Sequence, residues 1–278
     1  MTVYLYIYSA YLGVNYTWSF LMELFDTHFH LERHINSRLI AAEALNNEVK
    51  YLVCVGGDYQ SSLDSLKFSH SVKNSYFTAG VHPHYAGCKT WNMKNFSELL
   101  KDDKCVAVGE IGLDYFYEHS VKDVQKKVFE DFCKLGIKTR YPLVVHCRDK
   151  NDCFGAYEDI YNILKSLGIN NVKFVIHCYT GNLHWLEKFL ELDAYIGITG
   201  IVTFPKSENV RNIIKHIPDN RLLLETDSPY LAPNPHRGKL NFPKYLKLVA
   251  KEVAKIKSIP IEKLAEITTY NAFKFYNL

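Results

Sequence analysis

Residues Cys105-Val106-Ala107-Val108-Gly109-Glu110 form a short apolar run that ends in a carboxylate. A strand buried on both faces is a continuous apolar run, whereas a strand with one face in water alternates apolar and polar residues. The stretch therefore predicts a buried strand of a parallel sheet, with Glu110 at its carboxyl end. A buried glutamate costs free energy unless it is paired or binds a metal, although a carboxylate at the start of a helix is an alternative.

Eight such runs alternate with stretches of helical period along the chain. The runs cover residues 22–25, 51–55, 76–81, 105–108, 143–145, 173–176, 194–198 and 221–224. The helical stretches cover residues 37–46, 60–71, 94–100, 121–135, 157–167, 183–192, 209–215 and 243–256, with a last one over 261–276. This alternation predicts an α/β fold, a TIM (β/α)8 barrel with right-handed crossovers. The chain has 278 residues, which suits one barrel of roughly 250 residues, so we expect a single barrel domain over 23–278.

Composition and charge limit the class of protein. The 33 basic and 30 acidic residues give a net charge of +3, so any nucleic-acid contact has to be local and built around a cleft. Residues 1–22 carry no charge and form an N-terminal extension that matches neither a signal peptide nor a spanning helix. Seven dispersed cysteines without a Cys-x-x-Cys pair favour reduced thiols. We expect a cytoplasmic protein without membrane association or an obligate protein partner, while the extension leaves a nuclear or exported location open.

The chemistry of a (β/α)8 barrel lies at the carboxyl ends of its strands. His28 and His30 follow the first run and are two residues apart, so on an extended segment both rings face the same side. Asp26 has the same parity, and we expect its carboxylate to orient one imidazole through the ring N–H. Two surface histidines in a loop are the alternative interpretation.

Further residues of ligand type end other runs. His146 and His177 terminate the fifth and sixth runs, and Asp227 follows the eighth. Each has an ordinary alternative, since a single histidine can be a satisfied core residue and Asp227 can belong to the turn before Pro229. Together with Glu110 and the first histidine pair, they supply imidazole and carboxylate donors for two divalent ions. On strands 5 and 6, Cys147 and Cys178 are expected to face the helices, away from the ligands.

Residues suited to an anionic substrate surround these strand ends. Arg148 shares the parity of His146 and is expected at the mouth, where a guanidinium can bind phosphate, although a surface salt bridge explains it nearly as well. His82 and His84 end the third run and can contact substrate or cap a turn. Arg237 lies in the basic loop 236–239 after the last strand; a solvated loop is the alternative.

The ordered set of these segments resembles the TatD family of metal-dependent deoxyribonucleases over roughly residues 23–278. The resemblance is carried by the six segments Asp26-Thr27-His28-Phe29-His30-Leu31, Gly80-Val81-His82-Pro83-His84, Gly109-Glu110-Ile111-Gly112-Leu113-Asp114-Tyr115, His146-Cys147-Arg148, His177-Cys178-Tyr179-Thr180-Gly181 and Glu225-Thr226-Asp227-Ser228-Pro229-Tyr230-Leu231. Further similarities are Arg237-Gly238-Lys239 with Asn241 and Pro243, and Thr268 with Asn271. The uncharged extension is the departure from the family pattern.

The resemblance implies a site for two divalent ions, either Mg, Mn or Zn. By family analogy, His28, His30 and Asp227 hold one ion, His146 and His177 hold the other, and Glu110 bridges them. It also implies that His82 touches substrate. The expected function is hydrolysis of DNA phosphodiester bonds, with Asp227 taking a proton from the attacking water and Arg148 holding phosphate oxygens. The 3′→5′ exonuclease polarity comes from the resemblance alone.

Two other classes of function remain open at this stage. Amidohydrolase-type barrels share this metal site and act on small esters, lactones or amides, because a fold does not fix its substrate. A barrel that binds nucleic acid or protein and keeps metal as a structural clip is the non-enzymatic alternative. Arg148 and the basic loop favour a phosphate substrate over the first, and the intact ligand set favours an enzyme over the second.

Overall fold

Eight parallel strands form one sheet in chain order, β1 to β8. The computed structural model describes residues 22–31, 36–88, 91–150 and 152–278; apart from Met22, the N-terminal extension lies outside these ranges. The strands are β1 (Leu24–Phe29), β2 (Val49–Val55), β3 (Ser75–Ala79), β4 (Cys105–Asp114), β5 (Leu143–Arg148), β6 (Phe174–His177), β7 (Tyr195–Ile198) and β8 (Leu222–Leu224). The predicted (β/α)8 barrel is confirmed.

A helix follows each strand and packs on the outside of the sheet. The helices are α1 (Ser37–Asn46), α2 (Tyr59–Ser71), α3 (Met93–Leu99), α4 (Lys122–Thr139), α5 (Gly155–Ser166), α6 (Leu183–Glu191), α7 (Glu208–Ile214), α8 (Leu246–Lys257) and α9 (Ile261–Tyr276). Side-chain caps begin several of them; in α2 the Asp58 carboxylate accepts a hydrogen bond from the Ser61 amide and completes a capping box. In the described part of the chain, no helix combines the length and apolar character required to cross a bilayer.

Three strands extend at least three residues further than their apolar runs predicted. β1 ends at Phe29 instead of residue 25, β4 at Asp114 instead of 108, and β5 at Arg148 instead of 145. The apolar run stops where polar side chains begin, but the backbone ladder continues, because His28, Glu110 and His146 lie inside the carboxyl-terminal part of the barrel instead of in water. The sequence prediction thus ended each strand where the site begins.

β8 and β1 approach each other and complete the ring. The Thr27 hydroxyl donates to the Leu224 carbonyl at 2.9 Å, and the Asp227 amide donates to the His28 carbonyl at 2.9 Å. The His30 amide also donates to the Ser228 carbonyl at 2.7 Å. The first and last strand ends, almost two hundred residues apart in the chain, are therefore held side by side.

Apolar side chains fill two separate spaces. One lies between the strands and the surrounding helices, and Cys147 belongs to it, as its parity predicted. The other is the lower, amino-terminal part of the barrel interior. It is filled by Phe25, Val53, Val55, Val106, Ala107, Val144, Val175, Tyr195 and Leu223, together with Ala272, Phe275 and Tyr276 of α9. Asn271 and Thr269 of α9 donate hydrogen bonds to the carbonyls of Leu222 and Glu23, so α9 closes the amino-terminal end of the barrel.

Candidate metal centre

A break in strand register turns Glu110 into the barrel. Val108 pairs with Leu143 and Ile111 with Val145, so three steps along β4 match two along β5. Val108 and Ile111 consequently both pack outward against the helices. Glu110 then faces inward at the carboxyl end of the barrel, with a side chain only 2% exposed. A bulge of this kind is a recurrent way of re-aiming a side chain next to a site.

The Oε2 atom of Glu110 faces a first group of donors. It lies 3.5 Å from Nε2 of His28 and 3.5 Å from Nε2 of His30. Asp227 Oδ1 lies 3.4 Å from Nε2 of His30 and 3.8 Å from Nε2 of His28. His28, His30 and Asp227 offer donor atoms that all lie within 4.8 Å of one another, as one cation requires.

The Oε1 atom of Glu110 faces a second group. It lies 2.8 Å from Nδ1 of His146 and 3.7 Å from Nε2 of His82. The two imidazoles are close to each other, with His82 Nε2 at 3.3 Å from His146 Nδ1. His82, His146 and Glu110 form a group with donor atoms within 4.8 Å of one another. His82 was expected to touch substrate, and its ring lies in the same donor group as His146.

His177 lies between the two groups. Its Nε2 is 3.6 Å from Asp227 Oδ1 and 3.9 Å from Glu110 Oε1, and its ring stacks on that of His28 with centroids 3.5 Å apart. The other five residues of the predicted ligand set therefore gather around Glu110. The grouping differs in one respect, because His177 is closer to Asp227 than to the oxygen that faces His146.

Two carboxylates for which no role was predicted contact the imidazoles on the side away from Glu110. Glu225 Oε1 lies 2.9 Å from Nδ1 of His177 and accepts a hydrogen bond from the Cys178 amide at 2.5 Å. Asp114 Oδ2 lies 3.1 Å from Nε2 of His146. Such carboxylates fix the orientation of a ligating imidazole. The inward orientation of Asp114 could have been predicted from strand parity, because Asp114 is four residues beyond Glu110 on β4.

Asp26 does not have the expected role of orienting an imidazole. Its Oδ1 accepts from the Thr226 and His28 amides at 2.9 and 3.3 Å, and Thr226 Oγ1 donates to Oδ2 at 2.6 Å. Nδ1 of His28 is buried without a hydrogen-bond partner. The physical reason is a register shift in β1 between Asp26 and Phe29, which takes Asp26 off the face that its parity with His28 predicted. Asp26 instead joins β1 to the end of β8.

Cys178 also departs from its expected orientation. β6 ends at His177, and Cys178 adopts a left-handed backbone conformation with φ of 48°. Strand alternation no longer applies there, and the thiol lies on the site side, where its sulfur is within 4.8 Å of donor atoms of His177 and Asp227. Burial raises the pKa of this thiol well above its ordinary value. The prediction that Cys178 faces the helices was wrong.

Burial and neighbouring charges oppose each other in the pKa of each acid at the centre. Burial alone would raise the pKa of Glu110, but His82, His146 and His28 hold it well below its ordinary value. For Asp227, burial acts in the same direction and is outweighed by His177 and His30, so its pKa is lowered. Both acids are therefore carboxylates at neutral pH, which is the form that binds cations.

The pKa values of the imidazoles are shifted in opposite directions, depending on the surroundings of each ring. Burial lowers the pKa of His28, with a contribution from His177, and burial also lowers the pKa of His82 well below the usual value. For His177 burial is outweighed by Glu225 and Asp227, which raise its pKa to about 10. Asp227 and Glu110 similarly raise the pKa of His30 against the effect of burial.

The residues present fit divalent ions. Nε2 of His28 and Nε2 of His30 are 3.2 Å apart, so two imidazole nitrogens point at the same small space together with two carboxylates. Neutral imidazole and carboxylate are the donors that Zn and Mn accept, and carboxylate is preferred by Mg. A cation between these donors would balance the two negative charges.

The two predicted arginines lie at the rim and differ in their surroundings. The Arg148 guanidinium, at the end of β5, stacks on Phe116 and Tyr117 with its carbon 4.6 and 4.9 Å from the ring centroids. The Arg237 guanidinium lies 3.6 Å from the centroid of Phe204. Both arginines are exposed and stack on aromatic rings, and neither has a carboxylate partner among the salt bridges of the described residues.

A (β/α)8 barrel with histidine and carboxylate donors gathered at the carboxyl ends of its strands defines the class of metal-dependent barrel hydrolases. The chain belongs to the TatD related DNase family, whose family model matches residues 25–277. Membership in the family was predicted from the sequence motifs and is confirmed.

Similar proteins match most of the chain. It is 35% identical over 259 residues to the uncharacterized metal-dependent hydrolase YabD of Bacillus subtilis, covering 92% of this chain and 99% of YabD. It is 34% identical over 236 residues to the 3′-5′ ssDNA/RNA exonuclease TatD of Rahnella, covering 82% and 87% of the two chains. The crystal structure of the Escherichia coli TatD homolog YjjV has the same fold, with a TM-score of 0.84, 23% identity and 93% and 99% coverage.

Proposed function

We propose that this metal-dependent hydrolase is a deoxyribonuclease that removes nucleotides from single-stranded or frayed DNA ends in the 3′→5′ direction. The observation that carries the proposal is the position of Glu110, whose two carboxylate oxygens face two separate groups of imidazole and carboxylate donors. Two ions bridged by one carboxylate are a common arrangement in enzymes that hydrolyse phosphate esters.

In this proposal the centre would hold two ions. His28, His30 and Asp227 would hold the first and His146 and His177 the second, with Glu110 between the two sets of donors. Divalent ions lower the pKa of bound water and neutralise charge on phosphate oxygens. Asp114 orients the ring of His146 through a hydrogen bond, and Glu225 forms an ion pair with His177.

Asp227 is the residue we propose as the proton acceptor. Its carboxylate is 14% exposed, compared with 2% for Glu110, so it is the acid of the centre that water can reach. Its lowered pKa keeps it ionised and able to orient a water molecule. Arg148 and Arg237 at the rim, with His82 further in, provide cationic or donor groups for the phosphate oxygens.

The depth of Glu110 bears on the kind of DNA accepted. A carboxylate that is 2% exposed is recessed in the barrel mouth, which favours a single strand or a frayed end over the middle of a duplex. The net charge of +3 favours a substrate bound through a few phosphates. The direction of digestion and the DNA substrate rest on resemblance to the relative named as a 3′-5′ exonuclease.

The test is digestion of single-stranded oligonucleotides that carry a label and are blocked at either the 3′ or the 5′ end. We expect hydrolysis with Mg, Mn or Zn, loss of hydrolysis after chelation, and protection by the 3′ block alone. Glu110→Gln and His146→Ala should each reduce the rate by on the order of 10²-fold or more. His216→Ala, at an exposed histidine beyond α7, is the matched control and should retain the full rate.

Different failures have different meanings. Protection by the 5′ block alone would reverse the proposed polarity. If the protein hydrolysed esters or lactones and left the oligonucleotides intact, the chain would be assigned to amidohydrolase-type chemistry. If Glu110→Gln left the DNA hydrolysis unchanged, the donor groups around Glu110 would have no part in the reaction.

A further inference from the structure

Two exposed aromatic side chains follow the end of β4 at the barrel mouth. Phe116 is 39% exposed and Tyr117 is 50% exposed, and their rings meet edge to face with centroids 4.8 Å apart. The Arg148 guanidinium lies against both rings. We call Phe116, Tyr117 and Arg148 the aromatic shelf. Neighbouring exposed aromatic side chains at the mouth of a site indicate a binding surface more than a packing requirement.

One carboxylate fixes the shelf relative to the candidate metal centre. Asp114 Oδ1 accepts hydrogen bonds from the Phe116 and Tyr117 amides at 3.0 and 2.8 Å. Oδ2 of the same side chain lies 3.1 Å from Nε2 of His146, whose Nδ1 lies 2.8 Å from Glu110. The backbone of the shelf and the ring of His146 therefore share a single anchor, which holds the two aromatic rings at a set distance from Glu110.

The chemistry of the shelf selects one class of ligand. Unpaired nucleobases stack on aromatic rings and on guanidinium planes, and such stacking is tolerant of sequence because each base has a π face. Phe116 and Tyr117 offer partly exposed rings and Arg148 a guanidinium plane, and the His119 ring already stacks on Tyr117 with centroids 5.7 Å apart. The positive charge of Arg148 attracts the adjoining phosphate. A duplex hides its base faces, so the surface favours single strands.

We propose that the aromatic shelf binds the unpaired base of a nucleotide next to the phosphate that is hydrolysed. The inference rests on the proposed function and adds a base-binding surface to it. Stacking would hold the strand end over Glu110 and make the affinity for substrate depend on the bases near the cleaved bond.

The experiment compares two single-stranded substrates of equal length, one with ordinary bases and one with abasic sites at its terminal nucleotides. KM and kcat are measured at saturating metal for the unchanged protein, Tyr117→Ala, Phe116→Ala and Tyr117→Phe. We expect each alanine variant to raise KM for the ordinary strand by about 5- to 10-fold, as loss of one stacking contact would, with kcat changed less than about twofold. The abasic strand should show no such difference.

Two controls separate stacking from damage to the fold. Tyr117→Phe keeps the ring and should restore the KM of the unchanged protein. Tyr270→Ala removes a tyrosine that is 66% exposed from α9, at the far end of the barrel, and should leave both constants unchanged. A loss of kcat equal for both strands, with weaker metal binding, would mean that the variants act through Asp114 and His146, and the base-binding role would be overturned.

Failure of the inference is distinct from failure of the proposed function. If the unchanged protein hydrolyses the oligonucleotide but the alanine variants keep its KM, the shelf does not bind bases and the nuclease proposal stands. If the unchanged protein hydrolyses neither strand, the nuclease proposal is overturned and the shelf proposal with it.

Discussion

The two ends of the barrel interior are built from the same strands and have opposite chemistry. Near the amino-terminal end, the inward side chains are apolar and pack against Phe275 and Tyr276 of α9. Near the carboxyl end, the inward side chains are imidazoles and carboxylates around Glu110. β1 contains both kinds, with Phe25 in the lower interior and His28 in the upper one.

Within one sheet, the amino-terminal end of the barrel interior stabilises the fold and the carboxyl-terminal end provides the reactive groups. The lower end removes large aromatic side chains from water, which is the main favourable contribution to folding. The upper end buries ionisable groups, and burial opposes the charged form of each. The apolar end therefore stabilises the barrel that keeps the charged groups of the other end together.

The largest expected effect on stability comes from the apolar end. Phe275→Ala removes a fully buried ring beneath the barrel and should lower the free energy of unfolding by about 3–5 kcal/mol. Glu110→Gln at the other end should leave the fold intact while abolishing metal-dependent turnover. Urea unfolding and the rate per folded molecule measure the two effects separately. Loss of turnover in folded Phe275→Ala would show that the two ends are not separable.

A smaller effect is expected when the upper end binds metal. Divalent ions that bind the folded centre should stabilise the chain by about 2.7 kcal/mol at a metal concentration of 100 times Kd. The measurement is the shift in thermal midpoint between chelated and metal-loaded protein. His28→Ala should lose most of this shift, and Phe275→Ala, though less stable, should keep it. An equal shift in His28→Ala would exclude His28 as a ligand.

The smallest expected effect, taken per unit of pH, concerns Asp26. Complete burial raises the pKa of Asp26 from 3.8 to about 8, so between these values the unfolded state has released a proton that the folded state retains. Stability should therefore fall as pH rises through this range, by about 1.4 kcal/mol for each pH unit. Asp26→Asn cannot ionise but keeps an oxygen to accept from the Thr226 amide, and should lack this contribution.

The pH prediction is checked by urea unfolding of the metal-free protein and of Asp26→Asn at pH 5, 6 and 7. Other groups titrate equally in both proteins, so the difference between the two slopes isolates Asp26. Parallel slopes would show that Asp26 is ionised in the folded protein at neutral pH.

Much of the centre was predictable from strand ends and parity, and the exceptions have a common cause. His28, His30, His146, His177 and Asp227 gather around Glu110, as their positions at strand ends predicted. Asp26 and Cys178 do not follow their predicted orientations, because a register shift interrupts β1 and a left-handed residue follows β6. Parity holds only while the ladder is regular, and near this site it is not.

The sequence by itself determined the barrel, the helices between its strands and the end of the barrel at which the histidines and carboxylates gather. These features follow from local periodicity and from the direction of parallel strands, both of which a linear pattern contains. Only the tertiary structure decided that His82 joins His146 and that Glu225 and Asp114 stand behind the imidazoles. Those contacts join residues of different strands and of the segments that follow them, and they depend on register and ring closure, which the chain acquires only on folding.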